Sequence, residues 1–290
     1  MRFTLMLGLG GHEDYHDVAR TAEETGWTAV SLPDSIFFPK KTTSEYPYAD
    51  TAAVRGALSV APVIEPFVAL AGIAAVTRRL RFYPGVLKVP VRQPLLLAKS
   101  VASLAVMSGN RFSLGAGISP WEEDFTYNGV AFADRGGRMD ECIEIIRGAL
   151  TGEYFEYHGR HYDFGPMKMC PVPDRPVPVI IGGHAGPALV RAARSGDGWI
   201  SANTDFATLQ RMITELQTLR REHGTDRRAD FEIHAFDKDA RGLDDFRRLQ
   251  DLGVTDICAC AWNVYDASLD RQNKLDGIRR FAEEVIARFA

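Results

Sequence analysis

Apolar positions along this chain fall into short runs that alternate with amphipathic stretches. Residues 3–9 form an apolar run of strand length closed by Gly10-Gly11, and the next stretch sets Val18, Ala22 and Trp27 around an acidic face, with Gly26 as its stop. The alternation repeats. Strands are predicted at 28–32, 80–86, 111–115, 177–181, 198–201, 231–236 and 255–261, and helices at 66–76, 94–107, 187–194 and 243–252. Met139, Ile143, Ile146 and Leu150 mark one further helical stripe, Leu209, Met212, Leu216 and Leu219 another, and Leu275, Ile278, Ala282, Val285 and Phe289 the last. Eight strands thus alternate with eight helices. Strands that are apolar throughout suit a parallel sheet buried on both faces. In 290 residues, eight such repeats favour an α/β fold of one domain over 1–290, a closed (β/α)8 TIM barrel rather than an open doubly wound sheet.

Two segments stand outside the repeat. Residues 33–64, with Pro39, Pro47 and Pro62, read as a long irregular insertion, and 151–176 as a second whose aromatic stretch 154–164 turns as a hairpin near Gly159. In a barrel of this kind, function is expected on the loops after the strands' C-terminal ends.

Composition narrows the class. With 46% hydrophobic and 25% charged residues, the chain is neither disordered nor low in complexity. Its 34 basic and 38 acidic residues give a charge of −4, without the basic excess that nucleic-acid or anionic-membrane binding requires. The apolar stretch 56–76 is broken by Pro62, Glu65 and Pro66, short of the ~20 unbroken residues of a membrane span. Around residues 3–9, the lone Arg2 and the acidic Glu13-Asp14 do not make a secretory leader. Cys142, Cys170, Cys258 and Cys260 form no C-x-x-C pair and no disulfide framework, so a soluble, cytoplasmic protein is expected, with Cys258 and Cys260 as packing residues on one strand face.

The loops after the strands carry the candidate chemistry. Gly8-Leu9-Gly10-Gly11-His12 lacks the third glycine of a dinucleotide fingerprint and is read as a tight turn. At Pro33-Asp34-Ser35 a carboxylate either orients a ring or hydroxyl of a ligand, or serves as an N-cap or Asx-turn. Tyr83-Pro84-Gly85-Val86 permits close backbone approach to a flat ligand, or is an ordinary kink. The fourth strand runs into Gly115-Ala116-Gly117-Ile118-Ser119-Pro120, whose small residues leave room before Trp121 and the acids Glu122, Glu123 and Asp124 begin a short helix. After the fifth strand, Gly182-Gly183-His184-Ala185-Gly186-Pro187 places a glycine-rich turn at a helix start, with Gly186 as N-cap and Pro187 as first helical residue. Such a turn offers backbone N–H groups to phosphate or carboxylate, the plain alternative being a simple strand-to-helix connection. His12 with His16, and His158 with His161, lack a third ligand at a familiar spacing, so no metal site is expected. Neither a G-x-S-x-G elbow nor a P-loop is present, which argues against an α/β-hydrolase or a nucleotidase.

Several blocks in order resemble the bacterial luciferase-like superfamily over about residues 1–260. They are Pro66-Phe67-Val68-Ala69-Leu70, Leu80-Arg81-Phe82, Gly85-Val86-Leu87, Pro94-Leu95-Leu96-Leu97-Ala98-Lys99 and Ser108-Gly109-Asn110-Arg111-Phe112-Ser113-Leu114-Gly115-Ala116-Gly117. Arg135-Gly136-Gly137-Arg138-Met139-Asp140-Glu141, Ile180-Ile181-Gly182-Gly183-His184 and Gly196-Asp197-Gly198-Trp199 continue the series. The chain is most similar to the branch that uses the deazaflavin coenzyme F-420, although FMN-using members share most of these blocks. The resemblance implies a (β/α)8 barrel with a tricyclic ring at its C-terminal mouth. It implies Asp34 and Ser35 near the ring's polar edge, Gly85 and Val86 as a backbone bulge behind the ring (often a non-prolyl cis peptide), and Ala116, Gly117 and Ser119 along the ring and ribityl chain. Gly182, Gly183, His184 and Ala185 would hold the phosphate.

Two departures bear on mechanism. Ser35 stands where many relatives have a histidine, and Ser119-Pro120-Trp121 replaces the commoner Gly-Trp, with Ser119 where sugar-phosphate-oxidising relatives carry a glutamate. Their acid/base apparatus therefore does not carry over. The activity implied is hydride transfer between the deazaflavin and a small organic substrate, the proton coming from Asp34, His12, Glu122 or solvent. An FMN-dependent monooxygenase fed by a separate reductase, and a cofactor-binding barrel without turnover, are the alternatives. A homodimer is expected, as in many luciferase-like proteins.

Overall fold

Short apolar strands with no room for side-chain alternation pair side by side in parallel, because both of their faces must be covered. The computed structural model describes residues 1–9, 11–264 and 269–289; Gly10, expected to help close the first strand, lies outside them. The chain runs through β1 (Arg2–Met6), α1 (Tyr15–Glu24), β2 (Ala29–Leu32), α2 (Thr51–Leu58), α3 (Pro66–Val76), β3 (Arg81–Pro84), β4 (Leu87–Lys88), α4 (Pro94–Met107) and β5 (Leu114–Gly117). There follow α5 (Glu122–Thr126), α6 (Arg135–Ala149), a hairpin of β6 (Phe155–His158) and β7 (Asp163–Met167), β8 (Val179–Gly182), α7 (Gly186–Ser195) and β9 (Gly198–Ile200). The last elements are α8 (Phe206–Glu222), β10 (Glu232–Ala235), α9 (Leu243–Asp251), β11 (Asp256–Ala259) and α10 (Arg271–Glu284).

The large sheet has the order β3-β2-β1-β11-β10-β9-β8-β5-β4, every pair parallel. β3 and β4 are two halves of one barrel strand, interrupted at Gly85–Val86, whose peptide bond is cis. β3 pairs with β2, β4 pairs with β5, and a parallel bridge between Phe82 and Phe112 draws the two ends of the sheet together. The predicted eight-position barrel is thus present, with its third strand split and its fourth beginning three residues later than the apolar pattern indicated.

Proline at the first turn fixes the starts of α3 and α4, since its missing N–H has no intrahelical partner to lose. Two elements differ from expectation. α2 lies inside the segment read as irregular. Asp50 caps it by accepting the Ala53 N–H at 2.8 Å and Arg55 ties it to the Pro39 carbonyl at 2.8 Å, but none of its side chains is buried, so it leaves no apolar stripe to read. The final helix ends at Glu284, and Phe289 reaches the core beyond it, edge-on to Phe3 with ring centroids 5.3 Å apart. The expected hairpin is antiparallel, and its turn is pinned to α6 by the Glu141 carboxylate, which accepts the N–H groups of Arg160, His161 and Tyr162.

Inside the barrel, the strand starts carry ions and the strand ends carry apolar groups. Arg2 grips Asp256 with two bonds of 2.8 and 2.6 Å, Arg81 grips Glu232 at 2.9 and 3.0 Å, and His234 Nε2 meets Glu232 at 2.9 Å. Burial acts to raise the Glu232 carboxyl, but the hydrogen bonds and charges of His234 and Arg81 overrule it and hold it down at about 2. Glu232, His234 and Asp256 are near enough to share a cation, yet two guanidiniums already neutralise the carboxylates. One layer up, the Tyr83 hydroxyl meets His234 Nδ1 at 2.9 Å and donates to Thr4 Oγ1 at 3.2 Å. The layer nearest the strand ends joins Ile180, Ile200 and Cys258 to Met6, Val86 and Phe236. Cys258 is buried as expected, and burial pushes its thiol up to about 12; Cys260 is only half-buried. Among the described residues, no helix is long and apolar enough to cross a membrane.

Candidate functional site

Every loop that follows a strand end opens on the same side of the barrel, and there the small residues of three strands meet. Val86, just past the cis bond, projects between Gly117 at the end of β5 and Gly182 at the end of β8. A Cβ on Gly182 would lie 2.8 Å from Val86 Cγ1 and 3.4 Å from Ile200 Cγ2, and one on Gly117 would overlap Val86 Cγ2. Glycine at these positions lets Val86 pack directly against both strand ends, so that backbone and this one side chain form a low shelf over the apolar layer. Ala116 is buried within β5, opposite Leu87.

Two carboxylates brace this shelf from behind. Asp34 accepts the Lys88 N–H at 2.8 Å and both terminal nitrogens of Arg92 at 2.7 and 3.0 Å, and its side chain is only 1% exposed. Both of its oxygens are engaged in holding the turn after β4, and Ser35 follows it half-buried. Asp124, one helical step inward from the exposed Glu122, takes Lys88 Nζ at 2.6 Å and a short bond from Ser119 Oγ, which in turn accepts the Trp121 N–H at 3.1 Å. Lys88 therefore connects the two braces, by its backbone to one and by its side chain to the other.

The glycine-rich turn is shaped from below. Gly183 sits at φ +127°, a conformation that L side chains rarely adopt, and the Trp199 indole N–H donates to its carbonyl at 2.9 Å. Ala185, rather than Gly186, is the N-cap of α7. The Ala188 N–H already bonds the Ala185 carbonyl at 2.8 Å, so the first turn closes one residue early and Pro187 is second in the helix. His184 Nε2 accepts the Ala202 N–H at 2.9 Å. Burial, with Arg211 nearby, pushes the imidazole below its ordinary range, so His184 is neutral at pH 7.

Between this turn and the start of α6 runs a groove of about 410 Å³, lined by Gly117, Ser119, Gly182, Gly183 and Ala185 together with Tyr48, Arg135 and Arg191. Arg135 lies over the Phe132 ring at 3.9 Å and donates to the Phe132 carbonyl. Arg191 is buried against Asp140 at 2.7 Å. The starts of α6 and α7 face one groove, so both helix dipoles favour negative charge in it. A strap from the 33–64 segment covers the mouth: Tyr46 stacks on Trp121 at 5.9 Å, Tyr48 meets the His184 ring edge-on at 4.7 Å, and Ser44 Oγ accepts the Glu122 N–H at 3.1 Å.

The sequence-predicted residues are thus distributed unequally. Val86, Gly117, Ser119, Gly182, Gly183, His184 and Ala185 converge, Asp34 and Gly85 stand behind the shelf, and Glu122 faces solvent. His12 follows β1, four strands around the sheet from β8; its Nδ1 is shielded from solvent with the Glu13 carboxylate 3.6 Å away. Sequence reasoning missed Tyr48, Arg135, Arg191 and the Lys88–Asp124 pair. Arg135, inside a family block, and Asp124, among the acids of the short helix after the fourth strand, left traces.

Residues 3–241 match the family of luciferase-like monooxygenases. The chain is 44% identical over 291 residues to the uncharacterized protein Rv0940c of Mycobacterium tuberculosis, covering 99% of this chain and 100% of that one. It is 31% identical over 153 residues to an F-420-dependent glucose-6-phosphate dehydrogenase of Gordonia bronchialis, 50% of this chain and 45% of the relative. Its fold matches the coenzyme F-420 dependent tetrahydromethanopterin reductase from Methanopyrus kandleri with a TM-score of 0.77 at 15% identity, over 100% and 99% of the two chains. The oxygenating constituent of 3,6-diketocamphane monooxygenase from Pseudomonas putida, in complex with FMN, matches with a TM-score of 0.72 at 14% identity, over 99% and 98%. At these identities the two structures establish the fold alone. With the extent of the family match and the near-complete overlap with its mycobacterial relative, the chain belongs to the luciferase-like monooxygenase family.

Proposed function

We infer that the protein is an F-420-dependent oxidoreductase that moves a hydride between the deazaflavin and a small organic substrate. The observation that carries this reading is the continuity of the glycine shelf with a groove whose far wall holds Arg135 and two helix starts, a fit for a planar head on an anionic tail. Similarity to the F-420-dependent dehydrogenase of Gordonia bronchialis supports the same coenzyme. When bound, a deazaflavin supplies a ring carbon that gives or takes a hydride, and the barrel supplies position and electrostatics.

This chain's residues divide the remaining work. Val86, Gly117 and Gly182 seat the ring, and the 182–185 turn with Arg135 binds the anionic chain. The Tyr46–Trp121 stack keeps water from the mouth. Asp34 acts as a positioning residue, since its oxygens already hold Arg92 and the Lys88 amide. His12 is the better proton carrier, because Glu122 is exposed while His12 follows a strand end at the mouth. The reading includes a homodimer: α3 is apolar all round, yet its Val68 and the Leu96 and Met107 of neighbouring α4 are exposed, a surface suited to a second copy and testable by sedimentation.

Titration of the purified protein with F-420 and FMN, followed by anaerobic turnover with reduced F-420, tests the proposal. Tighter binding of FMN, with oxygen consumption when it is reduced, would favour the monooxygenase reading. Tight F-420 binding without turnover on any substrate would leave a binding protein.

A further inference from the structure

One wall of the groove comes from outside the barrel. Tyr48 belongs to the strap, yet it lines the groove beside Gly183 and Ala185. Its ring meets the His184 ring edge-on, and its oxygen is 3.8 Å from the point a Cβ on Gly183 would occupy. The backbone N–H of His184 bonds to that oxygen. A phenol that accepts an N–H still has its own proton to donate. Among the described residues, no acceptor takes it. Burial raises the Tyr48 hydroxyl above its ordinary range, so the proton stays in place at pH 7. Arg135, in the same groove, rests on the Phe132 ring and carbonyl, and among the described residues no carboxylate pairs with it.

The strap itself is held lightly. No residue from 40 to 50 is buried. Its ties are single bonds: Thr42 Oγ1 donates to Glu123 at 2.8 Å, Ser44 Oγ accepts the Glu122 N–H, and Asn203 Nδ2 donates to the Tyr48 carbonyl at 3.2 Å. A segment with so little core behind it opens at low cost, and one added bond shifts its population. We propose that Tyr48 is the latch of this strap: its hydroxyl donates to the anion held by the 182–185 turn, so that cofactor occupancy fastens the strap over the mouth. The identity of that anion, though not its charge, rests on the cofactor reading above. Tyr46, two residues away on the strap, stacks on Trp121 at the mouth, so the same latch steadies the wall that a substrate meets.

The test is calorimetric titration of wild type and Tyr48→Phe with F-420, with FMN, whose tail also ends in phosphate, and with inorganic phosphate. Phenylalanine keeps the ring against His184 and removes only the donor. Whichever of the three binds the wild type should bind the variant about tenfold more weakly. Amide hydrogen exchange over residues 40–50, read by mass spectrometry, should slow when the wild type is saturated and change far less in saturated Tyr48→Phe. A structural role alone would not produce that difference. Equal affinity in the variant overturns the proposal. So does tighter binding, which would make Tyr48 a plug that the anion must displace, and so does exchange at 40–50 that ignores the ligand in the wild type. Binding of FMN or phosphate but not F-420 would strike at the coenzyme assignment and leave the latch to be judged on the anion that binds. Failure of all three to bind overturns both.

Discussion

Asp34→Asn separates positioning from proton transfer. In the wild type, one carboxylate with its side chain 1% exposed receives three N–H bonds of 2.7 to 3.0 Å, two of them from Arg92. An asparagine keeps one acceptor but turns an NH2 group toward donors, leaving the guanidinium without its counter-charge. Removing one partner of a buried pair costs about 3–5 kcal/mol. Arg92 is 20% exposed and has Glu65 at 4.0 Å as a second carboxylate, which places the expectation near about 3 kcal/mol. For a chain of this size that corresponds to a fall in Tm of roughly 5 °C by scanning calorimetry. Lys88, the third donor, borders the shelf, so F-420 affinity should fall as well, by about tenfold. The double variant with Arg92→Met should recover part of the loss, because no unpaired charge then remains buried. A Tm within about 2 °C of the wild type, or simple additivity in the double variant, would refute the reasoning; loss of turnover with Tm and affinity intact would return Asp34 to the list of proton donors.

Three further outcomes are expected. Gly182→Ala should lower F-420 affinity at least tenfold, about 1.4 kcal/mol, because its Cβ would lie 2.8 Å from the stiff Val86 side chain; a titration matching the wild type would show that the shelf is not the ring site. Gly186→Asp has open space for its side chain and puts an acid in the first turn of α7, which by itself favours the helix, yet beside a bound phosphate it should weaken binding by about 2 kcal/mol. Weakened binding without a lower Tm is the signature to look for. Glu232, held at about 2 against an ordinary 4.5, binds its proton more weakly in the fold than in the unfolded chain. Its contribution, about 3 kcal/mol, is therefore full above the unfolded value and lost as pH falls from about 4.5 towards 2. Glu232→Gln should lower Tm at pH 7 and flatten its acid dependence, as followed by circular dichroism.

The barrel was legible because its physics is local. Apolar runs mark strands covered on both faces, and the prolines at 66 and 94 place helix starts to the residue. The glycine turn after β8 was legible too, though the cap moved by one residue when the Ala188 N–H closed the first turn. What escaped depends on distance along the chain. Lys88 and Asp124 meet only because β4 and α5 are brought together, and nothing in a single sequence distinguishes Asp124 from its neighbour Glu122 until the helical phase of so short an element is known. Tyr48 lies in a segment without periodicity, and Arg191 reads as an ordinary helix-surface charge until Asp140 and Gly136 are seen to surround it.

The bond from the Trp199 indole to the Gly183 carbonyl ties a wholly buried chromophore to the turn proposed to receive the anion. Any ligand that shifts this carbonyl also alters the polarity felt by the indole. The protein therefore carries an optical gauge of occupancy in its own backbone, and its emission can be followed for unlabelled cofactors and for inorganic phosphate alike.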